Sequence, residues 1–291
     1  MAVSIEKKYQ KLTDTEHVLL RPGMYVGSIK PHTEEIFLPM KGKDQFQLTE
    51  VTYNPGFLKL FDEIVSNSVD EHKRNVKLNK VKVDIDMSTG LISIWDNGGI
   101  PVEIHKEYDE WVPEMIFSNL KAGSNFDDTE DRIVVGTNGV GSTLTNIFSK
   151  EFIIETCDSK KHFTQTFKNN MSERTKAKIT KKKTAFTKIT YLTDFERFGL
   201  TGIDKNHYLM ITKRLIDIAA CNPTLKIFLN NKPIAFRTFK DYASRYVTPI
   251  FYDQSEHWKI GIGHSTTGFK AISFVNSVET KDGGTHVNNI D

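Results

Sequence analysis

Two polar side chains stand one turn apart in a segment whose apolar residues, at spacings of three and four, predict a helix over 54–75. Glu63 and Asn67 are four residues apart, so they project from one face of that helix, and Asp70 follows three residues later. A carboxylate can accept a proton from water, and a carboxamide oxygen can bind Mg²⁺. The pair suits nucleotide hydrolysis, although the same residues would also suit a solvated acidic face.

The segments 80–87 and 91–96 alternate apolar and polar residues, which predicts a β-hairpin. Asp96 ends the second strand, and Asn97 and Gly98 follow it. An acidic side chain at a strand end can accept the exocyclic amine of adenine, and a glycine beside it lets the base approach the backbone. The same residues are also typical of a plain turn, so both interpretations stay open.

A glycine-rich stretch, GTNGVGST at 136–143, opens a helix predicted over 140–149. It resembles a P-loop, but Ser142 stands where the lysine belongs, and Leu144 replaces the third glycine of a Rossmann fingerprint. Its glycines leave backbone N–H groups that can surround an anion, and the helix N-terminus favours negative charge. The stretch therefore predicts either a lysine-free phosphate site or an ordinary turn.

The remaining pattern predicts an α+β fold with helices on one face of a mixed sheet. Further elements are expected at 112–122 and 206–221 as helices, and at 151–157, 163–167, 186–192 and 224–230 as strands. After about Val247 the pattern changes, and 257–264 and 269–278 are expected to pair as strands. We expect a first domain over 1–247 and the beginning of a second over 248–291.

Composition narrows the class of protein. A net charge of +2 over 291 residues does not by itself indicate a nucleic-acid or membrane partner. Cys157 and Cys221 lie in apolar surroundings, which favours reduced thiols and an intracellular location. No signal-peptide core is present, and no window approaches ~18 apolar residues, so we expect no membrane partner.

The order of the motifs is more specific than any one of them. Along the chain they read Glu63-x-x-x-Asn67, Asp96-x-Gly98, Gly136-x-x-Gly139-x-Gly141 and Thr187-x-Ile189-x-Tyr191. This order resembles the GHKL ATPase superfamily, which comprises gyrase-type topoisomerases, Hsp90-type chaperones, histidine kinases and mismatch-repair MutL proteins.

Flanking segments extend the resemblance over about 9–288 to the N-terminal ATPase region of type IIA DNA topoisomerases, in their eukaryotic and bacteriophage form. These segments are YQKLTDTEHVLLRPGMYVGS, GFLKLFDEIVSNSVDEHKRN, GSNFDD, GTNGVGSTLTNIFS and ISFVNSVETKDGGTHV. The resemblance implies a two-layer α/β sandwich of the Bergerat type, followed by the start of a transducer-like α/β domain.

The resemblance also implies roles for individual residues. Glu63 would be the general base, and Asn67 would bind Mg²⁺ on the phosphates. Asp96 would accept the adenine amine, with a water held by Thr187, and Tyr9 would reach the nucleotide of a dimer partner. Other implied nucleotide contacts are Gly98, Gly123, Ser124, Asn125, Gly136, Thr137, Asn138, Gly139, Val140, Gly141, Ser142 and Thr143. Asp70 would be structural.

Three departures from the family pattern modify these expectations. One residue is missing from the family's Asp/Asn-x-Gly-x-Gly-Ile-Pro motif after Asp96, and Thr137 and Val140 stand where eukaryotic forms often carry Arg and Tyr. The family's Gln-Thr-Lys loop, whose lysine meets the γ-phosphate, is absent, so we expect a piece of a longer protein. It should bind ATP with Mg²⁺, hydrolyse it slowly and not cleave DNA.

In the full enzyme the implied partners are a second copy through the ATPase gate, double-stranded DNA, and a breakage–reunion region or subunit. A lysine cluster could contact the DNA or form a solvated hairpin: Lys176, Lys178, Lys181, Lys182, Lys183 and Lys188. The alternatives are a chaperone of the Hsp90 class, a vestigial nucleotide-binding module and, least favoured, a histidine kinase. The segment SFVNSVETKDGGTH favours the topoisomerase.

Overall fold

The fold is taken from a computed structural model, which describes residues 5, 9, 11–122, 139–234, 236, 238–255, 257–266 and 268–288. Its helices are α1 (Asp14–Leu20), α2 (Pro55–Arg74), α3 (Val112–Ser118), α4 (Gly141–Ile147), α5 (Lys205–Cys221), α6 (Phe239–Ala243) and α7 (Thr285–Asn288). Short 3₁₀ turns occupy Pro22–Met24 and Phe195–Phe198. Within this described part, no helix has the length and apolar character needed to cross a bilayer.

The strands fall into one large sheet and four hairpins. They are β1 (His32–Leu38), β2 (Gln47–Tyr53), β3 (Lys80–Asp86), β4 (Leu91–Asp96), β5 (Ile104–His105), β6 (Glu110–Trp111), β7 (Ser149–Cys157), β8 (Lys161–Lys168), β9 (Glu173–Arg174), β10 (Lys178–Lys181), β11 (Phe186–Thr193), β12 (Lys226–Leu229), β13 (Lys232–Ile234), β14 (Ile250–Gln254), β15 (Lys259–Gly263), β16 (Phe274–Val275) and β17 (Val278–Glu279). The large sheet has the order β10-β8-β7-β11-β4-β3-β12-β13, with β9 beside β8. It is mixed, because β12 runs parallel to β3 while the other pairs are antiparallel.

Helices cover one face of this sheet. Along β3, Val81, Val83 and Ile85 are buried, while the residues between them are partly or fully exposed. The buried set joins the apolar face of α2 in one core cluster, so alternate residues of each strand point toward the helices. The predicted two-layer α+β sandwich is therefore confirmed.

The longest helix begins where the sequence predicts. The Asn54 side chain caps α2 by accepting a hydrogen bond from the Phe57 amide at 3.0 Å, and Pro55 occupies the first turn. The Asn54 amide group also donates to the carbonyls of Ile29 and Phe198. The start of α2 is thus tied to two other segments, which fixes where its next turns lie.

Three predicted boundaries or pairings were wrong. Helix α3 ends at Ser118 rather than 122, because Asn119 has an extended backbone and Lys121 a positive φ of 65°. Helix α4 ends at Ile147, and strand β7 already begins at 149.

The strands after 250 form two local hairpins instead of pairing with each other. Strand β15 pairs with β14, and β16 pairs with β17. The reason for the second hairpin is a turn at Asn276 and Ser277, which both have positive φ, inside the segment predicted as one strand.

Candidate active site

A cavity of about 580 Å³ opens between α2, the start of α4 and the ends of β4 and β11. Of the predicted site residues, it is lined by Glu63, Asn67, Asp96, Gly98, Gly139, Val140, Gly141, Ser142 and Thr187. Its apolar wall includes Ile94, Ile100, Ile116, Phe117 and Ile189. The volume and the mixture of apolar wall and convergent polar groups are typical of a small-molecule site.

Sheet register brings three polar side chains to one end of this cavity. Thr187 on β11 is paired with Asp96 on β4 and with Thr156 on β7. Residues directly opposite each other in a sheet point to the same face. Because Asp96 is two residues beyond the buried Ile94, this is the face toward the helices.

The Asp96 carboxylate is held on both oxygens. The Ser68 hydroxyl donates to Oδ2 at 2.7 Å, and the Gly98 amide donates to Oδ1 at 2.9 Å. Burial raises the pKa of Asp96 to about 7, although the hydrogen bonds from Ser68 and Gly98 act in the opposite direction. In its carboxylate form, this buried acceptor can take a hydrogen bond from an amine of a ligand while rejecting a carbonyl.

The position of the Thr187 hydroxyl is set by Thr156, a neighbour that does not itself line the cavity. Thr156 Oγ1 lies 3.0 Å from Thr187 Oγ1, donates to the Phe186 carbonyl at 3.1 Å and accepts from the Ile100 amide at 3.1 Å. Thr156 is fully buried. It therefore orients Thr187 and joins the turn after β4 to strand β7.

The shortened motif after Asp96 makes a turn with no room for side chains. A Cβ on Gly98 would lie 2.7 Å from Leu78 Cδ1, and one on Gly99 would overlap the carbonyl oxygen of Cys157. The turn therefore packs directly against the end of β7 at Gly99.

At the other end of the cavity, the Glu63 carboxylate lies over the first residue of α4. A Cβ on Gly141 would overlap Oε2 of Glu63, so any residue larger than glycine would displace the carboxylate. Its other oxygen, Oε1, lies 2.5 Å from Nζ of Lys59 one turn earlier. The ion pair holds the carboxylate in place, and about a fifth of the Glu63 side chain remains exposed (21%).

Helix α4 is held in register with its neighbours by side-chain hydrogen bonds. Thr145 donates to the Leu60 carbonyl of α2 at 3.0 Å, and Asn146 donates to the Phe117 carbonyl of α3 at 2.9 Å. Ser142 donates to the Ile116 carbonyl at 3.1 Å. The first amides of a helix have no partner within the helix, which favours an anion near the start of α4.

Asn67 is exposed and lines the cavity one turn from Glu63. Carboxamide and carboxylate oxygens are the hard donors that Mg²⁺ takes, usually together with substrate phosphates and water. Among the described residues, no three His, Cys, Asp or Glu side chains cluster to hold a metal. The Glu63 carboxylate and the Asn67 carboxamide are the oxygen donors that this part of the cavity offers to a cation.

Some predicted site residues lie elsewhere. Thr143 is fully buried and donates to the Asn119 carbonyl at 2.9 Å, so its side chain does not reach the cavity. Tyr9, for which the resemblance implies contact with a dimer partner's nucleotide, is 70% exposed and does not line the cavity of its own chain, so its role stays a prediction. Six predicted contacts fall outside the described residues: Gly123, Ser124, Asn125, Gly136, Thr137 and Asn138.

Sequence reasoning missed Ser68, Thr156 and Lys59. Ser68 follows the buried Ile64 by four residues, so helical spacing alone could have placed it on the face toward the sheet. Lys59 precedes Glu63 by four residues, the spacing of a helical ion pair. No local signal distinguishes Thr156, because its role depends on strand register.

The lysine cluster lies at the sheet edge, on and around β10. Lys176, Lys178, Lys181, Lys182 and Lys183 are exposed. Lys188 pairs instead with Glu155 at 3.2 Å. These five exposed lysines are far along the sheet order from β4, and no member of the cluster lines the cavity.

Solved structures with the same architecture define the class of protein. The ATPase region of Saccharomyces cerevisiae topoisomerase II superposes with a TM-score of 0.94 at 36% identity, over 99% of this chain and 79% of that one. The ATPase and transducer domains of DNA topoisomerase II from Balamuthia mandrillaris give 0.94 and 37%, over 99% and 76%. The gyrase B ATPase domain of Thermus thermophilus shares the fold, with a TM-score of 0.66 at 22% identity. The fold is that of a GHKL ATPase.

Curated proteins extend the comparison. The chain is 41% identical over 302 residues to DNA topoisomerase 2 of Arabidopsis thaliana, and 42% identical over 305 residues to that of Acanthamoeba polyphaga mimivirus. It spans 20% and 24% of the length of these relatives. No protein-family model matches the chain. The chain belongs to the type II DNA topoisomerase family and corresponds to its ATPase region.

Proposed function

We propose that this chain binds ATP with Mg²⁺ in the cavity and hydrolyses it, as the N-gate region of a type II DNA topoisomerase. The observation that carries the proposal is that one cavity is lined by Glu63, Asp96 and Gly141 together. These three residues come from a helix, a strand end and a glycine-rich helix start, and each supplies a different part of nucleotide chemistry.

The base would lie at the sheet end of the cavity. There the Asp96 carboxylate accepts the adenine amine, and the Thr187 hydroxyl, held by Thr156, supports a bridging water. Guanine presents a carbonyl in place of that amine, so it would leave a buried carboxylate facing an acceptor. Unpaired buried groups of this kind are costly, which favours adenine.

The triphosphate would lie at the α4 end. Backbone amides at 139–142, which line this end, would surround it, and Asn67 would hold the magnesium ion, which neutralises charge on the phosphates when bound. The Glu63 carboxylate accepts a proton from the attacking water, and Lys59 keeps that carboxylate oriented. This lysine-free arrangement depends on amide dipoles rather than on a P-loop.

In the whole enzyme, nucleotide binding would close two such regions around a DNA duplex, with Tyr9 reaching the partner's nucleotide. A breakage–reunion region or subunit would cut the DNA, and residues from about 248 would begin the transducer domain. The location would be intracellular. These proposals rest on the family to which the chain belongs.

Isothermal titration of the 291-residue chain with a non-hydrolysable ATP analogue and Mg²⁺ tests the proposal. We expect saturable binding, and Asp96→Ala should weaken it about 10- to 100-fold, because a charge-assisted hydrogen bond is lost. GTP analogues should bind more weakly than ATP analogues. Equal affinity of the wild type and Asp96→Ala, or no heat from the wild type, would contradict the proposed function.

A further inference from the structure

An arginine outside the cavity joins its wall to a distant hairpin. Arg214 lies on α5, and its Nε donates to Asp62 Oδ1 at 2.6 Å. Asp62 and Ser66 line the cavity on α2, beside Glu63. Arg214 Nη1 donates at the same time to the carbonyl of Ser277, in the turn of the β16–β17 hairpin. One guanidinium therefore contacts both the cavity wall at Asp62 and the turn of the β16–β17 hairpin at Ser277.

The arginine is well placed to act as a rigid connector. Its side chain is 18% exposed and that of Asp62 is 23% exposed, so the ion pair is largely shielded from solvent. A guanidinium presents several donors in a fixed plane, so one side chain can hold two partners in a defined geometry. Lysine, with a single donor atom, cannot keep the same geometry at both ends.

The far end of the connection is a defined two-residue turn. Asn276 and Ser277 have positive φ angles of 51° and 71°, and Ser277 is buried. Asn222, at the end of α5, donates to Ser277 Oγ at 2.9 Å, and Lys73 in the last turn of α2 donates to the Asn276 carbonyl at 3.2 Å. The turn is thus seated against the ends of α2 and α5, and Arg214 joins it to Asp62 in the cavity wall.

We propose that Arg214 is a positioning residue that couples occupation of the nucleotide cavity to the hairpin Phe274–Glu279 through Asp62. This inference rests on the proposed function. A nucleotide that contacts Glu63 fixes the turn of α2 that carries Asp62, and Arg214 passes this constraint to Ser277. Such coupling is reciprocal, so a change at the hairpin alters nucleotide affinity by the same factor.

Hydrogen exchange with and without a magnesium-bound, non-hydrolysable ATP analogue tests the coupling. In the wild type, we expect the analogue to slow hydrogen exchange in the Phe274–Thr280 segment about fivefold or more. This factor is at the lower end of the range that is usual for energetic coupling between two sites. In Arg214→Gln the effect of the analogue should fall below about twofold, while titration still detects binding. A merely structural role would raise exchange equally in both states and leave the ratio unchanged.

Two further variants keep the test decisive. Asp62→Asn removes the negative charge that pairs with Arg214. In this variant the slowing of hydrogen exchange by the analogue should also be lost, which tests the coupling even if Arg214→Gln does not fold. Arg197→Gln is the matched control, because Arg197 makes a comparable ion pair with Asp194 at 2.9 Å and does not line the cavity. It should keep the wild-type ratio.

The possible outcomes distinguish failure of the Arg214 coupling from failure of the proposed nucleotide binding. Tight binding by the wild type with no change at the hairpin, or an unchanged ratio in Arg214→Gln or Asp62→Asn, overturns the coupling and leaves the nucleotide site intact. No binding by the wild type overturns both.

Discussion

The two ends of the cavity are built differently. At the sheet end, Asp96 is 7% exposed, and hydrogen bonds from α2 and from the following turn hold both its oxygens. At the α4 end, Glu63 is more exposed and is held by one ion pair and by contact with Gly141. The carboxylate at the sheet end is therefore the more firmly held of the two, whereas the one at the α4 end is partly open to solvent.

This difference suggests a division of labour. A buried carboxylate that is fixed by two hydrogen bonds sets which ligand enters, because a mismatched ligand leaves its remaining acceptor sites without a donor. A partly exposed carboxylate near the phosphates remains accessible to water, as hydrolysis requires. Changes at the sheet end should therefore alter affinity, and changes at the α4 end should alter rate.

The largest effect is expected at Glu63. Glu63→Gln keeps the shape but removes the base, so single-turnover hydrolysis should fall about 10²- to 10⁴-fold while analogue affinity stays within a few-fold. Glu151→Gln, which disturbs a surface pair with Lys168, is the control and should keep the wild-type rate. A hydrolysis rate in Glu63→Gln close to that of the wild type would remove the assigned base.

Gly141→Ala should have the next largest effect. The added methyl overlaps the Glu63 carboxylate and pushes it from its place, so we expect hydrolysis to fall roughly 10²-fold, as misplaced catalytic groups do. Gly202→Ala has no atom within 4 Å of the new methyl and should be neutral. Equal rates for the two variants would show that the position of Glu63 over α4 is irrelevant.

At the sheet end, affinity should depend on pH. The pKa of Asp96, raised to about 7 by burial, means that its carboxylate form is lost as pH falls below that value. The amine of adenine needs the carboxylate, so affinity should be about tenfold weaker at pH 6 than at pH 8, in proportion to the ionised fraction.

The matching variant is Asp96→Asn, which cannot titrate. Its affinity should be lower throughout and nearly independent of pH over this range. A wild-type affinity that stays constant or rises toward pH 6 would show that Asp96 does not accept from the base.

The smallest effect is expected at Thr187. Thr187→Val removes one hydroxyl that Thr156 orients, and the loss of one neutral hydrogen bond should weaken binding about fivefold. Thr190→Val is the control on the same strand, since Thr190 donates to Ser93 away from the cavity. An equal response of the two variants would assign the change to the strand rather than to the site.

Much of this site could be predicted from the sequence, because its elements have strong local signals. The apolar spacing and the Asn54–Pro55 start define α2, and alternation defines β3 and β4 to within a residue. Glu63, Asn67 and Asp96 therefore lie on the helix and the strand end that the sequence predicts.

What could not be predicted depends on tertiary contacts. Thr156 supports Thr187 only because β7 pairs with β11 in one register, and Arg214 meets Asp62 across 152 residues of sequence. The predicted pairing of the two strands after 250 was wrong for a related reason. Two residues with positive φ can turn a chain whose sequence otherwise alternates like a strand. These features follow from the packed chain rather than from local pattern.

A crystal structure of the chain with Mg²⁺ and a non-hydrolysable ATP analogue tests the central claim most directly. We predict one nucleotide in the cavity, with the adenine amine within hydrogen-bond distance of the Asp96 carboxylate and the terminal phosphate beside Glu63 and Gly141. An adenine that contacts neither Asp96 nor Thr187, or a nucleotide bound outside this cavity, would contradict the account.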